Sequence, residues 1–527
     1  MNLQRVLLLA AFALILGVPF AMRPRAEADP ESRAAPVLII ITPHVPQIHR
    51  EFGAAFDRWH KANHGSRVRI DWRYAGTTEI LKQLEAQYTA ALKAGKFDLS
   101  NPANPACAPG LIGYDLMFGG GTYDHGRVKS GVNHSIPDPS AKDGVRIVKV
   151  PMSAPAGFSQ AQLDAWFGEN IIGIQPLYDP EQFWIGTALS SFGIVYNRDM
   201  LKARGLPEPR SFKDLTDPRY MGSVALADPR QSGSVATALD SILNNFGWDE
   251  GWKILREMCA NTRYYTSSSP KTPIDVSAGE AAAGLAIDFY GRGQAQAVMR
   301  EGETPETSRV GYSDPAGSVY IDADPISILR GGPNPELAKR FVEFCLTEEG
   351  QALWQFHIVG SPMGGSNPIG SNGEPMGPKQ YELRRLPIRR VMFEKYMPHF
   401  IDKVDPYAIA SKMPVKGWRP ALGVMMGAFS IDVAHEQREA WRELNAARTT
   451  QSFPAETLAE MERLFYAWPV TTSLDGKPLE FTPENLRAIR DVWRNPDLAA
   501  RCKIDYTRFF QSNYHSVVKL ARNAQKH

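Results

Sequence analysis

The sequence contains few cysteines and no excess of charge of either sign. Lysine and arginine number 59 against 57 aspartate and glutamate residues, so the chain lacks the basic excess that tracks nucleic-acid phosphates. Nucleic acid is therefore not an expected partner. Most of the cysteines are expected to be buried small side chains, although an exported location would permit a disulfide. The four cysteines, without the Cys-x-x-Cys spacing of a zinc ribbon or a redox dithiol, are Cys107, Cys259, Cys345 and Cys502.

Long hydrophobic runs are equally scarce, and the one present lies at the N terminus. Arg5 precedes an uncharged apolar segment of 17 residues, Val6–Met22, and the small-x-small triplet Ala26–Ala28 follows. Residues 1–35 are therefore predicted to be an export segment with a spacer, either a cleaved signal peptide or an N-terminal membrane anchor. Because no such run recurs after residue 35, a channel or permease is not expected.

The chain does contain a series of strand and helix patterns. The β-branched run Val37–Ile41 is typical of a parallel strand buried on both faces. Apolar residues at helical spacing follow over residues 48–59, and Val68–Trp72 is a second strand pattern. Strand, helix and strand in this order predict a βαβ unit, whose binding groups lie on loops at the carboxyl ends of the strands.

A second α/β module is indicated from about residue 186 onward. The apolar strand Ala188–Tyr196 opens it, and a helix pattern begins at Ser232. Beyond about residue 355, amphipathic helices replace the strands, most clearly at Thr457–Trp468 and Pro483–Trp493. The sequence therefore predicts two α/β modules followed by a mainly helical extension.

In their order and spacing, several segments resemble the extracellular solute-binding proteins of ABC importers, especially the subgroup that includes ferric-iron-binding proteins. The resemblance covers residues 36–355. The segments that carry it are Thr42-Pro43-His44, Tyr74–Glu79, Asp115–Gly121, Ser191–Asn197, Asp228–Ser234, Trp248–Trp252, Arg263–Ser267, Ala286–Tyr290 and Asp324–Leu329.

The resemblance implies an α/β, two-lobed fold of the class II periplasmic-binding-protein type, in which a ligand held in the cleft favours the closed state. Lobe one would comprise residues 36–185, completed by 291–355 across the hinge crossings. Lobe two would comprise residues 186–290, and residues 356–527 would form the helical C-terminal extension.

The same resemblance implies a periplasmic or extracytoplasmic protein that delivers a small ligand to the membrane permease of an ABC transporter and is not an enzyme. The ligand would be ferric iron or an anionic, oxygen-rich organic solute, and no cofactor is required beyond Fe(III) as transported ligand. A membrane-anchored sensor or adaptor with the same fold is the alternative. Enzyme motifs fail, because His435–Glu439 lacks the second histidine of a zinc-protease helix.

Candidate ligand-binding residues lie where the chain leaves strands or enters helices. Gly76–Thr78 and Ser232–Ser234 precede predicted helices, whose N–H groups and dipole suit an anion, although Thr and Ser also serve there as ordinary N-caps. The glycine run Gly119–Gly121 would let the backbone approach a ligand, or would form a flexible turn. The candidates are His44, Thr77, Thr78, Gly119, Gly120, Ser232, Gly233, Ser234, Tyr265, Asp288 and Tyr290.

The adjacent residues Tyr264 and Tyr265 support the ferric-iron interpretation. Adjacent tyrosines recur in the iron-binding members of the family, and their phenolate oxygens suit a hard trivalent cation once both protons are lost. With His44 they would form the metal set, which has no clear carboxylate ligand. In the alternative interpretation, one tyrosine packs in the core and the other contacts an organic ligand.

Overall fold

The computed structural model describes residues 35–524 together with Phe12, so the predicted export segment lies almost wholly outside the described residues. Within these residues, no helix combines the length and apolarity needed to cross a bilayer. Cys259 and Cys345 are buried and Cys107 and Cys502 are half-buried, all four as free thiols.

The strands are numbered β1 to β17 in chain order. They are β1 Val37–Thr42, β2 Arg69–Tyr74, β3 Phe97–Asp98, β4 Ala106–Cys107, β5 Leu116–Phe118, β6 Val132–Pro137, β7 Val145–Val150, β8 Ser153–Ala154, β9 Ile185–Asn197, β10 Val224–Ala227, β11 Thr262–Thr266, β12 Ala283–Ile287, β13 Val310–Ser313, β14 Ile321–Leu329, β15 Leu386–Pro387, β16 Thr471–Thr472 and β17 Pro478–Leu479.

The α-helices are numbered α1 to α18 in the same way. They are α1 Pro46–His64, α2 Thr77–Lys93, α3 Thr122–Ser130, α4 Gln160–Phe167, α5 Arg198–Ala203, α6 Gly233–Phe246, α7 Trp248–Ala260, α8 Lys271–Ser277, α9 Asp288–Val298, α10 Pro335–Cys345, α11 Glu348–Gln355, α12 Arg390–Tyr396, α13 Pro406–Ile409, α14 Arg419–Phe429, α15 Ala434–Thr449, α16 Ala455–Tyr466, α17 Leu486–Trp493 and α18 Pro496–Ala524. Short 3₁₀ turns occur at Phe212–Thr216, Pro218–Tyr220, Gly364–Ser366, Met397–His399 and Ile431–Val433.

One large sheet runs through the molecule. Its strand order is β11-β10-β12-β9-β14-β5-β1-β2, with β13 and β15 paired to β9 and β8 paired to β14. β1 is parallel to both β2 and β5, as its β-branched sequence predicts. The carboxyl ends of these three strands therefore meet at one edge, where the loops after Thr42, Tyr74 and Phe118 lie together.

Two long strands carry the chain between the lobes. β9 is buried along all 13 of its residues. Its first half pairs with β14, whereas Phe192–Tyr196 pairs with β12 of lobe two. β14 pairs in turn with β5 of lobe one. A strand shared by two modules is a hinge crossing, so the predicted two-lobed α/β architecture is confirmed.

The chain returns from lobe two to lobe one later than residue 291, the boundary predicted from the sequence. β13 pairs with Ile194–Asn197, and Ala295 and Val310 pack with lobe-two side chains. The helix α9, which follows β12, folds back onto β9 before the chain crosses. Residues 288–313 therefore pack with lobe two.

The C-terminal extension is mainly helical and packs against both lobes. Leu383, Leu386 and Ile388 enter the lobe-one core, whereas the helices from α14 onward share one core with lobe two. In that shared core the ring of Trp252 meets those of Phe429 and Trp468. The extension thus bridges the two lobes.

Candidate functional site

The glycine run after β5 packs against carboxylates of the crossing strand β14. The N–H of Gly120 donates to Asp324 Oδ1 at 3.0 Å. Gly119 has a φ of +90°, and a Cβ at this position would stand 2.4 Å from His44 Nε2. Glycine is therefore required here by close packing within the protein, and the Gly120 amide that the sequence offers to a ligand already binds a carboxylate.

His44 is buried at the hinge and engaged by the same carboxylate. Its Nε2 lies 2.8 Å from Asp324 Oδ2 and 2.9 Å from Arg385 Nη1. The same Nη1 lies 2.8 Å from Asp324 Oδ2. Burial lowers the pKa of His44, although the neighbouring Asp324 charge opposes the shift. The structure therefore places His44 in a buried ion-pair group.

The adjacent residue of the extension, Arg384, forms a parallel set of contacts with lobe two. It donates to the two oxygens of Asp402 at 2.7 and 2.9 Å and to the backbone oxygen of Arg292 at 3.1 Å. Its φ is +51°, a conformation that L-residues rarely adopt. These buried groups, which we call the hinge cluster, are His44, Asp288, Arg292, Asp314, Asp324, Arg384, Arg385 and Asp402.

The candidate residue Asp288 belongs to the hinge cluster. Arg292 Nη1 lies 3.1 Å from its Oδ2, and the Phe289 N–H donates to its Oδ1. Burial raises the pKa of Asp288 to about 7, and the charge of Arg292 opposes this rise. Arg384 and Arg385 were not predicted as site residues, because they lie far along the chain from the lobes. Two adjacent arginines between Leu383 and Leu386 were the available signal.

The structure separates the three residues predicted to hold iron. The Tyr265 hydroxyl contacts Ser430 of the extension, whereas the Tyr264 ring lies beside Lys271, with its centre 5.8 Å from Nζ. Burial raises the pKa of both phenols, which opposes the loss of protons that iron would require. In the described part of the chain, no group of three or more His, Cys, Asp or Glu could hold a metal ion.

Ser232 caps helix α6, as its position before the helix predicts. Its Oγ accepts from the Val235 N–H at 3.3 Å and contacts the Ser269 hydroxyl. Gly233 is exposed and Ser234 half-buried, and within residues 35–524 neither the Gly233 N–H nor the Ser234 hydroxyl forms a hydrogen bond. The first turn of α6 therefore keeps polar groups available to a ligand.

The remaining candidates lie on open surface around the lobe-one strand ends and at the start of α9. Thr77 is half-buried and Thr78 exposed, and a Cβ at Gly120 would stand 3.2 Å from Thr77 Cγ2. Tyr290 is half-buried; burial raises its pKa to about 12, and Tyr74 of lobe one adds to the rise. Tyr290 of lobe two thus lies near lobe one.

A second group of charges lies between the lobes at the start of α6. Arg419, the first residue of α14, donates from Nη1 to Thr237 Oγ1 at 2.8 Å and from Nη2 to the Gly233 oxygen at 3.1 Å. Its guanidinium carbon also stands 5.8 Å from the ring centre of Tyr123 in lobe one. These residues and their charged neighbours, which we call the inter-lobe polar cluster, are Tyr123, Asp124, Asp240, Tyr320, Asp322 and Arg419.

Three carboxylates surround Arg419 without touching it. Its charge acts on Asp124, Asp240 and Asp322, yet no carboxylate of the described residues lies within 4.0 Å of the guanidinium nitrogens. Burial raises the pKa of Asp240 and of Asp322 to about 6, and the positive charge of Arg419 opposes both shifts. The cluster therefore combines one cation with several acceptors across a gap.

Two buried atoms of this cluster lack hydrogen bonds. Asp240 and Tyr320 are each 4% exposed, and neither Asp240 Oδ1 nor the Tyr320 hydroxyl makes a hydrogen bond of good geometry within the described residues, although the Asn244 side chain lies beside both. Buried polar atoms are usually satisfied in folded proteins, so these two atoms are available to a polar ligand. Neither residue was predicted from the sequence as a site residue.

Part of the chain matches a known protein family. Residues 168–378 match the family model described as bacterial extracellular solute-binding protein. The match confirms the predicted resemblance over that segment. It also agrees with the prediction that the chain is a solute-binding protein.

The curated relatives and solved structures that resemble this chain share limited sequence identity with it. The phosphoglycerate transport regulatory protein PgtC of Salmonella typhimurium is 22% identical over 293 residues, which cover 53% of this chain and 70% of that protein. An uncharacterised protein of Haemophilus influenzae is 31% identical over 209 residues, 39% of this chain and 55% of that protein.

Among solved structures, the periplasmic binding protein AfuA of Actinobacillus pleuropneumoniae, with fructose-6-phosphate bound, is 18% identical, with a TM-score of 0.41 and coverage of 60% of this chain and 81% of that one. The apo ferric ion-binding protein A of Pasteurella haemolytica is 13% identical, with a TM-score of 0.42 and coverage of 72% and 89%.

Proposed function

We propose that this protein is the extracytoplasmic substrate-binding component of an ABC-type uptake system, and that its ligand is an anionic, oxygen-rich organic solute. The observation that carries the proposal is the inter-lobe polar cluster, which brings the Arg419 guanidinium, the unpaired buried atoms of Asp240 and Tyr320 and the carboxylates of Asp124 and Asp322 to one place. Asp322 accepts hydrogen bonds from Thr122 and keeps further lone pairs for a ligand. A solute held there would contact both lobes and favour their closed arrangement, which a membrane permease could then recognise.

Two helix starts support an anionic ligand. The first turn of α6 offers the Gly233 N–H and the Ser234 hydroxyl next to Arg419, and α2 begins at Thr77 beside the glycine run. Backbone N–H groups and the helix dipole favour negative charge at such positions. The curated relative PgtC is named for phosphoglycerate, which is itself an anionic, oxygen-rich solute.

Ferric iron is the less suitable ligand for these residues. Tyr265 is hydrogen-bonded to Ser430 and His44 to Asp324, and the two residues share no hydrogen-bond partner within the described residues. Burial holds the pKa of the phenols above the usual value, so that forming two phenolates would be costly. An organic solute needs none of these deprotonations.

Calorimetric titration of the purified full-length chain tests the proposal. The probes are phosphoglycerate, glycerate and ferric citrate, and the melting temperature is measured in parallel. Phosphoglycerate is expected to bind and to raise the melting temperature by mass action. At a free concentration 100 times Kd, binding adds about 2.7 kcal/mol to the free energy of unfolding. Binding of ferric citrate alone, with a visible tyrosinate colour, would contradict the organic-anion proposal.

A further inference from the structure

We propose that the C-terminal extension completes the ligand site: Arg419 binds the anionic group of the solute, while Asp240 and Asp322 accept hydrogen bonds from its hydroxyl groups. This inference rests on the proposed function and specifies the ligand as an anion that carries hydroxyl groups. It also assigns a binding role to an extension that the family pattern does not contain.

The first argument is the incomplete coordination of Arg419. A guanidinium carries five N–H donors, and only the two hydrogen bonds to Thr237 and Gly233 are made within residues 35–524. Arg419 also stands at the N-terminal end of α6, where the helix dipole disfavours a cation. An anion at this place would satisfy the free donors and would be held by the helix end as well.

The second argument is the buried acceptor on the opposite side. Asp240 Oδ1 is shielded from solvent and makes no hydrogen bond of good geometry in the described chain, nor does the hydroxyl of Tyr320 near it, although Asn244 lies beside both. An ionised carboxylate can only accept hydrogen bonds, so its natural partner is a donor such as a ligand hydroxyl. Because the hydroxyl of Tyr320 can donate or accept, it suits the same kind of ligand.

The balance of charge gives the site its selectivity. One arginine faces three carboxylates, from α3, α6 and β14. A compact anion without hydroxyl groups, such as sulfate, would meet the repulsion of these carboxylates and donate a hydrogen bond to none of them. A hydroxylated anion can turn its charged end towards Arg419 and its hydroxyl groups towards Asp240 and Asp322.

A cationic occupant fits the geometry less well. Within the described residues, the carboxylates form no group that could hold a metal ion. A polyamine would need to lie beside the guanidinium of Arg419, whose charge repels it. The cation already supplied by the extension therefore favours a ligand with an anionic end.

The experiment uses calorimetric titration of the full-length chain and three variants with phosphoglycerate, sulfate and putrescine. Arg419→Gln is expected to weaken phosphoglycerate binding at least about 30-fold, as loss of a charge-assisted contact does. Asp240→Asn is expected to weaken phosphoglycerate about 5- to 10-fold but not sulfate. Arg438→Gln is the matched control, because this extension arginine also bonds a lobe-two carbonyl, at Thr262, and lies outside the cluster. It is expected to bind as the unaltered protein does.

The outcomes separate the inference from the proposed function. Unchanged phosphoglycerate affinity in Arg419→Gln would overturn the inference and leave the proposed function standing. Failure of the unaltered protein to bind any organic anion would overturn the proposed function itself, and binding of putrescine instead would reverse the assigned ligand charge. If Arg419→Gln proves unstable, Thr237→Val removes the Oγ1 anchor of the guanidinium but keeps its charge, and an unchanged affinity in that variant would equally overturn the inference.

Discussion

The hinge cluster and the inter-lobe polar cluster both combine arginines with aspartates, but they differ in whether the guanidinium groups touch the carboxylates. At the hinge, Arg384 and Arg385 of the extension touch the carboxylates of Asp402 and Asp324 at 2.7 to 2.9 Å and are buried with them. Between the lobes, Arg419 is half-buried and faces its carboxylates across a gap. Removing one member of the touching, buried pairs at the hinge would leave a buried charge without compensation, whereas the guanidinium of Arg419 keeps donors free for the ligand proposed above.

The comparison also separates two effects of the extension. Through Arg384 it binds lobe two at Arg292, and through Arg385 it binds lobe one at Asp324. These contacts fix the extension at the hinge. Arg419 lies at the other end of this anchored segment and can reach a ligand held between the lobes.

The largest expected effect is that of Arg385→Ala, which breaks the hinge cluster. The substitution leaves Asp324 buried with His44 and the Gly120 N–H as its remaining hydrogen-bond partners, and removing one partner of a buried pair costs about 3–5 kcal/mol. Burial alone would raise the pKa of Asp324, whereas the charges of Arg385 and His44 hold it below its usual value. Urea unfolding, with m-values compared, measures the loss of stability.

Arg419→Ala is the matched comparison for that loss. Because Arg419 is half-buried and pairs with no carboxylate within 4.0 Å in the described chain, its removal should cost less than about 1 kcal/mol. Equal losses in the two variants would erase the distinction drawn between the clusters.

Asp240→Asn is expected to change stability less than Arg385→Ala does, and to increase it rather than decrease it. Burial raises the pKa of Asp240 to about 6, against the opposing charge of Arg419. Between pH 4 and 6 the folded protein therefore binds more protons here than the unfolded chain, so this group lowers stability as the pH rises through that window. Asparagine should raise the free energy of unfolding at pH 7 by about 2–3 kcal/mol and leave it unchanged at pH 4.

Asp324→Asn provides the control, because the pKa of Asp324 is lowered in the folded protein. Its ionised form stabilises the fold above the unfolded pKa, and that stability is lost as the pH falls through the folded pKa. The two asparagine variants should therefore change stability at pH 7 in opposite directions. Changes of the same sign would show that burial, rather than charge pairing, governs both sites.

Much of the fold could be predicted from the sequence. The β-branched run at Val37–Ile41 and the long apolar strand at Ala188–Tyr196 become central strands of the sheet, because their patterns report burial directly. The return crossing could not be located, since the pairing of Val310–Ser313 with β9 depends on a contact over more than a hundred residues. Nothing in the local pattern specifies such a partner.

The candidate site was harder to predict for the same reason. The start of α6 at Ser232–Ser234 was recognised because capping residues signal a helix end locally. His44, Asp288 and Tyr265 are residue types that bind ligands, but whether they do depends on distant arginines and serines. Arg419 lay in the extension, outside the region of family resemblance, so only the three-dimensional structure connects it to the cleft.

A small effect, on stability alone, is expected for Tyr265→Phe, which tests a contact between the extension and lobe two. Ser430 Oγ donates to Gln437 Oε1, so the Tyr265 hydroxyl donates to Ser430. Its removal should cost about 1 kcal/mol and leave phosphoglycerate affinity unchanged. A double-mutant cycle with Ser430→Ala should show coupling between the two positions. If affinity fell while stability held, Tyr265 would return to the ligand site, and the assignment of this surface to the fold would be wrong.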